Sequence, residues 1–237
     1  MRRRFIADRW TDTTAALTGD QAVHLARVLR AEPGQIYDIV ANGFLHRAEI
    51  VAVSDKEVSF ALHEELEADA ALPLHLLLAV FKFDHFEWAV EKATELGVAR
   101  ITPVLARRTE KHLALAATKR VERWRRIALE ASKQSRRTDV PEIAEPASLK
   151  VALERETSDV RILLSETEQA VSLSAALDES RASRICALAI GPEGGWTPEE
   201  MELFEDHEWR SVTLGPRILR AETAAIAAIA IVSSKLA

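Results

Sequence analysis

The sequence predicts an α/β protein in two parts, a small β-rich N-terminal part and a larger C-terminal part with a parallel sheet. Three observations predict this architecture. Short apolar runs separated by turn residues fill the first 70 residues, whereas nearly continuous apolar strands alternate with amphipathic helices after Pro73. Such alternation is typical of a parallel sheet covered by helices on both faces. The length of 237 residues, of which 48% are apolar, suffices for one large or two small cores.

The N-terminal part contains one predicted helix and a close series of predicted strands. The helix, residues 21–30, has Thr18 and Gln21 at capping-box spacing and ends before Pro33-Gly34. Asn42-Gly43 predicts a tight hairpin between the first two strands. Strands so short and so closely spaced suggest a small barrel, and the acidic stretch 64–69 predicts a linker. The predicted strands are residues 36–41, 46–53 and 57–63.

The C-terminal part alternates predicted strands with predicted helices. Gly97 ends the first helix, and Thr197 with Pro198 forms a typical helix start. The last helix is almost fully apolar over residues 224–232, so it must be buried in the core or against another subunit. The predicted strands are residues 74–81, 100–105, 160–165, 185–190 and 211–214, and the predicted helices are residues 86–96, 119–135, 199–205 and 222–236.

Composition excludes several classes of protein. The single cysteine, Cys186, rules out an intramolecular disulfide framework and any multi-cysteine metal site, and its place in an apolar strand predicts an inert thiol. The seven histidines show no metal-ligand spacing, so we expect no metal. No apolar run is long enough to span a membrane, and no signal-peptide pattern follows the basic N-terminus. We therefore expect a cytoplasmic protein that has no membrane partner.

The charge is unevenly distributed along the chain. The formal net charge is −6, which by itself argues against a nucleic-acid partner. Residues 100–137, however, contain 12 basic and three acidic side chains. Such a concentration is typical of a surface that binds a phosphate backbone. The alternative is a solvated helix face, since part of this basic run has a clear helical pattern.

Three strand ends carry the residues best suited to bind a ligand, because ligands of open α/β sheets lie beyond the carboxyl ends of the strands. These ends are Leu163-Leu164-Ser165-Glu166, Gly191-Pro192-Glu193-Gly194-Gly195 and Leu214-Gly215-Pro216-Arg217-Ile218-Leu219-Arg220. Glycine lets a backbone approach a ligand closely. The glycine segment matches neither the P-loop nor the dinucleotide fingerprint, and a plain strand–loop–helix connection is the alternative.

The last two segments, the latter continuing as Ala221-Glu222-Thr223-Ala224, resemble the SPOUT methyltransferases. Among these, they are most similar to the RsmE family, which methylates N3 of a uridine in 16S ribosomal RNA. The resemblance covers most of the chain, and the paired C-terminal motifs are specific. Arg136-Arg137 departs from the Gly-Arg that is usual in the family, which affects the fine RNA contacts. Other matching segments are residues 24–30 with 33–34, 91–98 with 101–103, and 125–131 with 134–135 and 140–143.

The resemblance implies a PUA-like RNA-binding β-barrel over residues 1–70 and a SPOUT α/β trefoil-knot methyltransferase domain over residues 74–237. It also implies a homodimer with S-adenosyl-L-methionine as cofactor, bound by the knot loops across the dimer interface. Most of the cofactor contacts would be made by backbone and apolar groups. Carried over by position, the cofactor-binding residues are Leu163, Ser165, Glu166, Gly191, Glu193, Gly194, Gly195, Leu214, Gly215, Ile218, Leu219 and Ala224.

Methylation of N3 requires removal of its proton, and it requires a base that is unpaired or flipped out. We assign Arg220 as the cation beside O2 or O4, and Glu222 as the base or as the group that orients Arg220. The alternative is a purely structural pair of these two residues. The spacing of His24, Arg27 and Arg30 predicts one shared helix face. The candidate RNA-binding residues are Arg4, His24, Arg27, Arg30, Arg47, Lys92, Arg107, Lys111, Arg136 and Arg137.

The resemblance therefore predicts an enzyme that methylates N3 of a uridine, uridine 1498 in the ribosomal RNA numbering, in 16S ribosomal RNA of the small ribosomal subunit. One alternative is a SPOUT methyltransferase that acts on transfer RNA or on another ribosomal site, which the PUA-like barrel joined to the C-terminal motifs disfavours. The other is a non-catalytic RNA-binding factor for ribosome assembly. The intact Arg220, Glu222 and glycine segment disfavour that second alternative.

Overall fold

The computed structural model of the chain describes residues 4–68, 71–168, 170–179 and 185–236. The chain divides into two compact units. The N-terminal unit comprises Met1–Ala70 with Ser132–Asp139, and the C-terminal unit comprises Ala71–Ala131 with Val140–Ala237. Residues 1–3 of the basic N-terminus lie outside the described residues.

The described residues of the N-terminal unit form a mainly antiparallel sheet and one short helical segment. The elements are β1 (Arg4–Ile6), β2 (Arg9–Trp10), β3 (Thr14–Thr18), α1 (Gly19–Val23), a π-helical turn (His24–Val28), β4 (Ile36–Ala41), β5 (Phe44–Val53) and β6 (Glu57–Leu66). The strand order is β1-β4-β5-β6-β3-β2, and only the pair β1–β4 is parallel among these residues.

This sheet is curled but not closed. Only Ala7 and Asp8 separate the two edge strands, β1 and β2. The backbone N–H of Ala7 donates to Val40 of β4, and that of Asp8 donates to Ala16 of β3. The two edges therefore approach each other, but within the described residues β1 and β2 do not pair. The predicted small barrel is corrected to a curled half-barrel, whose core contains Leu17, Leu25, Ile39, Ile50 and Phe60.

The hairpin prediction for the N-terminal unit is confirmed, but the helix prediction needs correction. Asn42 and Gly43 have φ values of 52° and 81°, as a two-residue hairpin with the native twist requires. The helical segment ends in a π-helical turn at Val28, and Arg30 has a φ of 48°, outside any helix. Thr18 makes no side-chain cap, because its hydroxyl and N–H both donate to Asp8.

The predicted acidic linker is also partly wrong. Strand β6 continues to Leu66, so Glu64 and Glu65 belong to the sheet. Asp69, the last residue of the predicted linker, lies outside the described residues. The acidic side chains concealed the strand, because His63, Glu64 and Glu65 are all exposed and show no alternation of apolar and polar residues.

The C-terminal unit is built on a parallel sheet, as predicted. Its described elements are β7 (Leu72–Ala79), α2 (Phe83–Glu95), β8 (Val98–Leu105), α3 (Lys111–Ser135), β9 (Glu142–Ile143), β10 (Ala147–Ser148), α4 (Leu149–Arg155), β11 (Val160–Leu164), α5 (Leu173–Glu179), β12 (Cys186–Ile190), α6 (Pro198–Asp206), β13 (Arg210–Val212) and α7 (Ala221–Leu236). The strand order is β10-β8-β7-β12-β11-β13, with β9 paired to β8. All these pairs are parallel.

Helices cover both faces of this sheet. Alternate residues of a strand point to opposite faces, and β7 shows this directly. Leu76 and Leu78 pack into the core with α2, α3, α5 and α7, whereas Leu77 packs into a second core with α4 and α6. The apolar helix α7 contributes Ala225, Ala228, Ile229 and Val232 to the first core.

Short elements were missed by sequence reasoning. The elements β9, β10, α4 and α5 have two to seven residues each, too few to show a period. Helix α3 begins at Lys111 rather than at residue 119, and its buried stripe includes Leu113 and Ala117. No helix in the described part of the chain is long and apolar enough to cross a membrane.

Candidate functional site

A pocket of about 620 Å³ lies at the carboxyl ends of β11, β12 and β13. The strands are parallel, so their carboxyl ends meet at one edge of the sheet. Residues 164–168, 190–196 and 212–219 form the three loops that line the pocket. These are the three strand ends singled out in the sequence. The predicted residues that line it are Ser165, Glu166, Gly191, Glu193, Gly194, Gly195, Leu214, Gly215, Ile218, Leu219 and Ala224.

Leu163 is the one predicted pocket residue that the structure places elsewhere. Its side chain is fully buried in the core with Leu77, Ala187 and Ala189. The neighbouring Leu164 lines the pocket instead. The correction follows from strand geometry, because two successive residues of β11 point to opposite faces of the sheet.

The glycine loop after β12 leaves no room for larger residues. A Cβ atom on Gly191 would lie 3.0 Å from Nε1 of Trp196. A Cβ on Gly195 would lie 3.1 Å from Oε1 of Glu166, and Gly195 also has a positive φ of 69°. Glycine is required at Gly195 for its conformation, and at both positions the backbone packs directly against a side chain.

Two residues that sequence reasoning did not assign to the pocket help to build it. Nη1 of Arg108 donates to the carbonyl oxygens of Gly194 at 2.5 Å and Trp196 at 3.3 Å. Trp196 lines the pocket, and its buried Nε1 has no hydrogen-bond partner among the described residues. Arg108 was counted within the basic run, and no sequence spacing links it to a loop 86 residues away.

The helix that follows the glycine loop is anchored at its start as predicted. Thr197 is the N-cap of α6, and a complete capping box joins it to Glu200. The second carboxylate oxygen of Glu200 accepts a hydrogen bond from the backbone N–H of Arg107 at 2.8 Å. The buried Glu200 therefore ties the glycine loop and α6 to the segment between β8 and α3.

Glu222 lies at the first turn of α7 and is hydrogen-bonded to a residue that the sequence did not suggest. Nδ1 of His85, at the start of α2, lies 2.8 Å from Oε1 of Glu222. The side chain of Glu222 is only 4% exposed. Arg220 is exposed and forms no salt bridge with Glu222 in the described chain. Among the described residues the direct partner of Glu222 is therefore His85, and Arg220 acts on Glu222 only through its charge.

The pKa of Glu222 reflects this environment. Burial by itself raises the pKa of the carboxyl group, because it penalises the charged form. The hydrogen bond from His85, a backbone hydrogen bond and the electrostatic effects of His85 and Arg220 act in the opposite direction. They prevail, so the pKa of Glu222 is lowered and the carboxylate is held ionised. Ala221 and Ala224, its neighbours on α7, line the pocket.

Most of the candidate RNA-binding residues of the N-terminal unit are paired within that unit. Arg27 forms a two-bond pair with Asp55, Arg47 pairs with Glu64, and Nη1 of Arg4 donates to the carbonyl of Arg136. His24, Arg27 and Arg30 do not share a helix face, so that prediction is wrong. The residues 24–28 form a π-helical turn, in which residues three apart no longer align, and Arg30 lies beyond it.

The basic run is largely neutralised in the same way. Lys92, outside the run, pairs with Glu91 and Glu95. Arg107 and Lys111 make no salt bridge within the described ranges. Much of the run is therefore a solvated face of paired charges, which is the alternative to an RNA-binding surface. Its ion pairs include Arg100–Glu142, Arg120–Glu87, Arg123–Glu87, Arg125–Glu145 and Arg137–Asp139.

Metal ligands do not cluster in the part of the chain that the structure covers. No group of three or more His, Cys, Asp or Glu side chains there could hold a metal ion.

Comparison with known proteins relates the chain to RNA-modifying enzymes. Residues 68–233 match the family model of the RNA methyltransferase domain. The chain is 32% identical to ribosomal RNA small subunit methyltransferase E of Bacillus subtilis, over 93% of this chain and 90% of that protein. It is 30% identical to the Mycobacterium bovis protein of the same name, over 95% and 88% of the two chains.

Solved structures show the same relation. The structure of ribosomal RNA small subunit methyltransferase E from Neisseria gonorrhoeae, bound to S-adenosyl methionine, superposes with a TM-score of 0.83 at 28% identity, covering 100% of this chain and 98% of that one. A methyltransferase from Legionella pneumophila with bound SAM gives a TM-score of 0.81 at 28% identity, covering 99% and 98%. The similarity therefore extends over both units.

Proposed function

The chain belongs to the ribosomal RNA small subunit methyltransferase E family, within the RNA methyltransferase domain family, and on this premise we propose that it methylates N3 of a uridine in 16S ribosomal RNA. The proposed position is uridine 1498 in the ribosomal RNA numbering, and the proposed methyl donor is S-adenosylmethionine. The observation that carries the proposal is the pocket formed by the three strand-end loops, in a chain whose relative from Neisseria gonorrhoeae is bound to that molecule.

The residues of the pocket fit S-adenosylmethionine. The pocket volume, about 620 Å³, lies in the usual range for small-molecule sites. The buried Nε1 of Trp196 lacks a hydrogen-bond partner among the described residues, and Glu166 and Glu193 offer carboxylates to the positively charged end of the donor. When bound, the donor supplies an electrophilic methyl group on a sulfonium. The other residues proposed to hold it are Leu164, Ser165, Gly191, Gly194, Gly195, Leu214, Gly215, Ile218, Leu219 and Ala224.

The catalytic task of the protein is to position the uracil and to manage one proton. N3 carries a proton at neutral pH, and removing it leaves negative charge shared with O2 and O4. The exposed Arg220 is proposed to stabilise that charge, because a fixed cation lowers the barrier where charge develops. The ionised Glu222, with its hydrogen-bond partner His85, is proposed to form the group that accepts the proton of N3. Alignment of N3 with the methyl group supplies much of the rate.

The RNA must present an unpaired base, since N3 lies on the Watson–Crick edge. The predicted RNA-binding residues retain that role in the proposal. Arg107 and Lys111 are best placed to contact phosphate, because they are exposed and form no salt bridge in the described residues. A paired arginine such as Arg27 would have to leave its carboxylate partner, Asp55, to bind a phosphate of the RNA. The small ribosomal subunit is the proposed partner.

A homodimer and a trefoil knot belong to the same proposal. Ile218 lines the pocket yet is 83% exposed, and Ala230 of the apolar helix α7 is also exposed. A second copy that covers these residues would shield the pocket from water. Sedimentation of the purified protein should therefore give the mass of a dimer rather than that of a 26.3 kDa monomer.

The test is site mapping on small ribosomal subunits that lack the modification. The purified protein is incubated with these subunits and labelled S-adenosylmethionine, and the modified nucleotide is identified. Label on N3 of one uridine is expected, whereas label on a cytosine, a guanine, a ribose or a transfer RNA would overturn the proposal. Calorimetry with S-adenosylmethionine tests the assembly-factor alternative, because a protein that does not bind the methyl donor cannot be the proposed enzyme.

A further inference from the structure

Two hydrogen-bonded histidine–glutamate pairs join distant segments among the described residues of the C-terminal unit, and only one lies at the edge of the sheet that holds the pocket. His85 is in the first turn of α2, which follows the carboxyl end of β7. Glu222 is in the first turn of α7, between the pocket residues Ala221 and Ala224. The other pair, His75–Glu156, lies near the amino ends of the strands, beside Ser158 and the start of β11.

The geometry of the first pair leaves one ring nitrogen of the histidine accessible. Nδ1 of His85 is 2.8 Å from the buried carboxylate of Glu222, whereas the side chain of His85 is 32% exposed. Nε2 lies 3.7 Å from Oδ2 of Asp84, which is itself 79% exposed. A carboxylate that accepts a hydrogen bond from Nδ1 fixes the tautomer in which Nε2 carries the free lone pair.

We propose that Nε2 of His85 accepts the proton of uracil N3, and that Glu222 orients the imidazole and stabilises the imidazolium that forms. This inference rests on the proposed function. An ionised carboxylate whose pKa is lowered is a weak acceptor for the proton of so weak an acid as N3–H. Imidazole is a better match, since a general base works best when its basicity suits neutral pH.

The proposed step is balanced in atoms and electrons. The N3–H bond breaks and the proton moves to Nε2 of His85, which becomes positively charged beside Glu222 and Asp84. The electron pair of N3 forms the new bond to the methyl carbon as the carbon–sulfur bond breaks. The electron pair of the broken carbon–sulfur bond remains on sulfur, which becomes a neutral thioether. His85 then releases its proton to water, so no further reactant is needed.

Few charged groups other than Glu222 and Asp84 can influence His85. Arg220, which precedes α7, acts on Glu222 through its charge. Lys82, the exposed N-cap residue of α2, adds a cation in the turn that precedes His85. Other charged side chains on α2 and on the elements packed against it form the pairs Arg120–Glu87, Arg123–Glu87, Arg100–Glu142 and Lys235–Asp178.

The test compares His85→Asn with the matched control His75→Asn. Asparagine keeps an N–H donor near the position of Nδ1 but has no group that accepts a proton from N3. In single-turnover assays on undermethylated small subunits, His85→Asn should lose activity by about 10²- to 10⁴-fold, the usual contribution of a general base. His75→Asn, whose pair lies at the opposite edge of the sheet, should keep wild-type turnover.

Three further readouts separate proton transfer from a structural role. Both variants should bind S-adenosylmethionine with wild-type affinity by calorimetry, which shows that the pocket is intact. The residual rate of His85→Asn should rise with pH, because N3 must then ionise unaided. Added imidazole should partly restore His85→Ala but not Arg220→Ala.

The outcomes distinguish failure of the His85 assignment from failure of the proposed function. If the wild-type protein labels uridine N3 and His85→Asn is equally active at all pH values, the assignment of His85 is overturned and the proposed function stands. If the wild-type protein places no methyl group on uridine, the proposed function fails, and the assignment of His85 fails with it.

Discussion

Arg108 donates a hydrogen bond to the carbonyl oxygen of Gly194 across 86 residues of chain, at a distance of 2.5 Å. The same guanidinium nitrogen reaches the carbonyl of Trp196. The glycine loop, whose own residues have little side chain to hold it, is thereby fastened to the segment after β8. An arginine from the basic run thus supports the pocket rather than an RNA phosphate.

Arg108→Ala should weaken binding of S-adenosylmethionine. The charged hydrogen bonds are exposed, so we expect a loss of about 1 kcal/mol, or roughly fivefold in Kd. Calorimetry measures the affinity. The matched control is Arg126→Ala, an arginine of the same run that does not line the pocket. An unchanged Kd for Arg108→Ala would show that the loop keeps its conformation without the arginine.

Gly195→Ala should lower the affinity for S-adenosylmethionine by more than a general loss of folding stability would explain. Its φ of 69° is strained for alanine, at a cost of about 1 to 2 kcal/mol, and the new Cβ would press on Oε1 of Glu166. Gly43→Ala is the control, because Gly43 has a φ of 81° and open space around it. Both variants should lose similar stability in thermal unfolding, but only Gly195→Ala should lose affinity for S-adenosylmethionine.

Arg220→Ala should retain cofactor affinity and lose turnover. Arg220 does not belong to the residues that line the pocket, so calorimetry should give the wild-type Kd. Removal of one group that stabilises developing charge costs about 10²- to 10³-fold in rate. The neighbouring Arg217→Ala, which alters the pocket rim, is the comparison variant. Wild-type turnover in Arg220→Ala would remove this arginine from the mechanism.

Glu156 should make stability depend on pH in the acid range. Burial raises its pKa, but hydrogen bonds from His75, from the hydroxyl of Ser158 and from backbone N–H prevail and lower the pKa to about 2. A carboxyl whose folded pKa lies below the unfolded value of 4.5 stabilises the protein above that value. This stabilisation is lost as pH falls from 4.5 towards about 2.

The measurement for Glu156 is chemical unfolding of the wild type and Glu156→Gln at several pH values. The difference in unfolding free energy should be largest above pH 5 and should shrink towards pH 2, since the wild-type carboxyl is then being protonated. A difference between the two proteins that stays constant over this range would contradict the assignment. Turnover near neutral pH serves as a check that the pocket edge of the sheet is unaffected.

Cys186 should resist alkylation in the folded protein. The thiol is buried in β12, and burial, followed by the nearby charge of Glu156, raises its pKa to about 12. The thiolate is the reactive species, so iodoacetamide should modify the native protein slowly and the denatured protein fully. Mass spectrometry counts the adducts. Rapid modification of the native protein at neutral pH would show that β12 opens readily.

The sequence alone determined the features that depend on local residue type. The hairpin at Asn42-Gly43 and the capped start of α6 at Thr197 follow from short-range rules, and the parallel sheet follows from continuous apolar strands. The pocket loops could also be located from the sequence, because glycines and aliphatic residues at the ends of predicted strands can be recognised there. Eleven of the twelve predicted pocket residues line the pocket for this reason.

Only the tertiary structure decided which side chains meet. Leu163 and Leu164 are alike in sequence, and the side to which each points depends on how β11 sits in the sheet. His85 meets Glu222 across 137 residues, and Arg108 meets Gly194 across 86. Such contacts depend on the packing of helices and strands far apart in the chain, for which a single sequence has no local pattern. The partner of Glu222 is therefore a property of the fold.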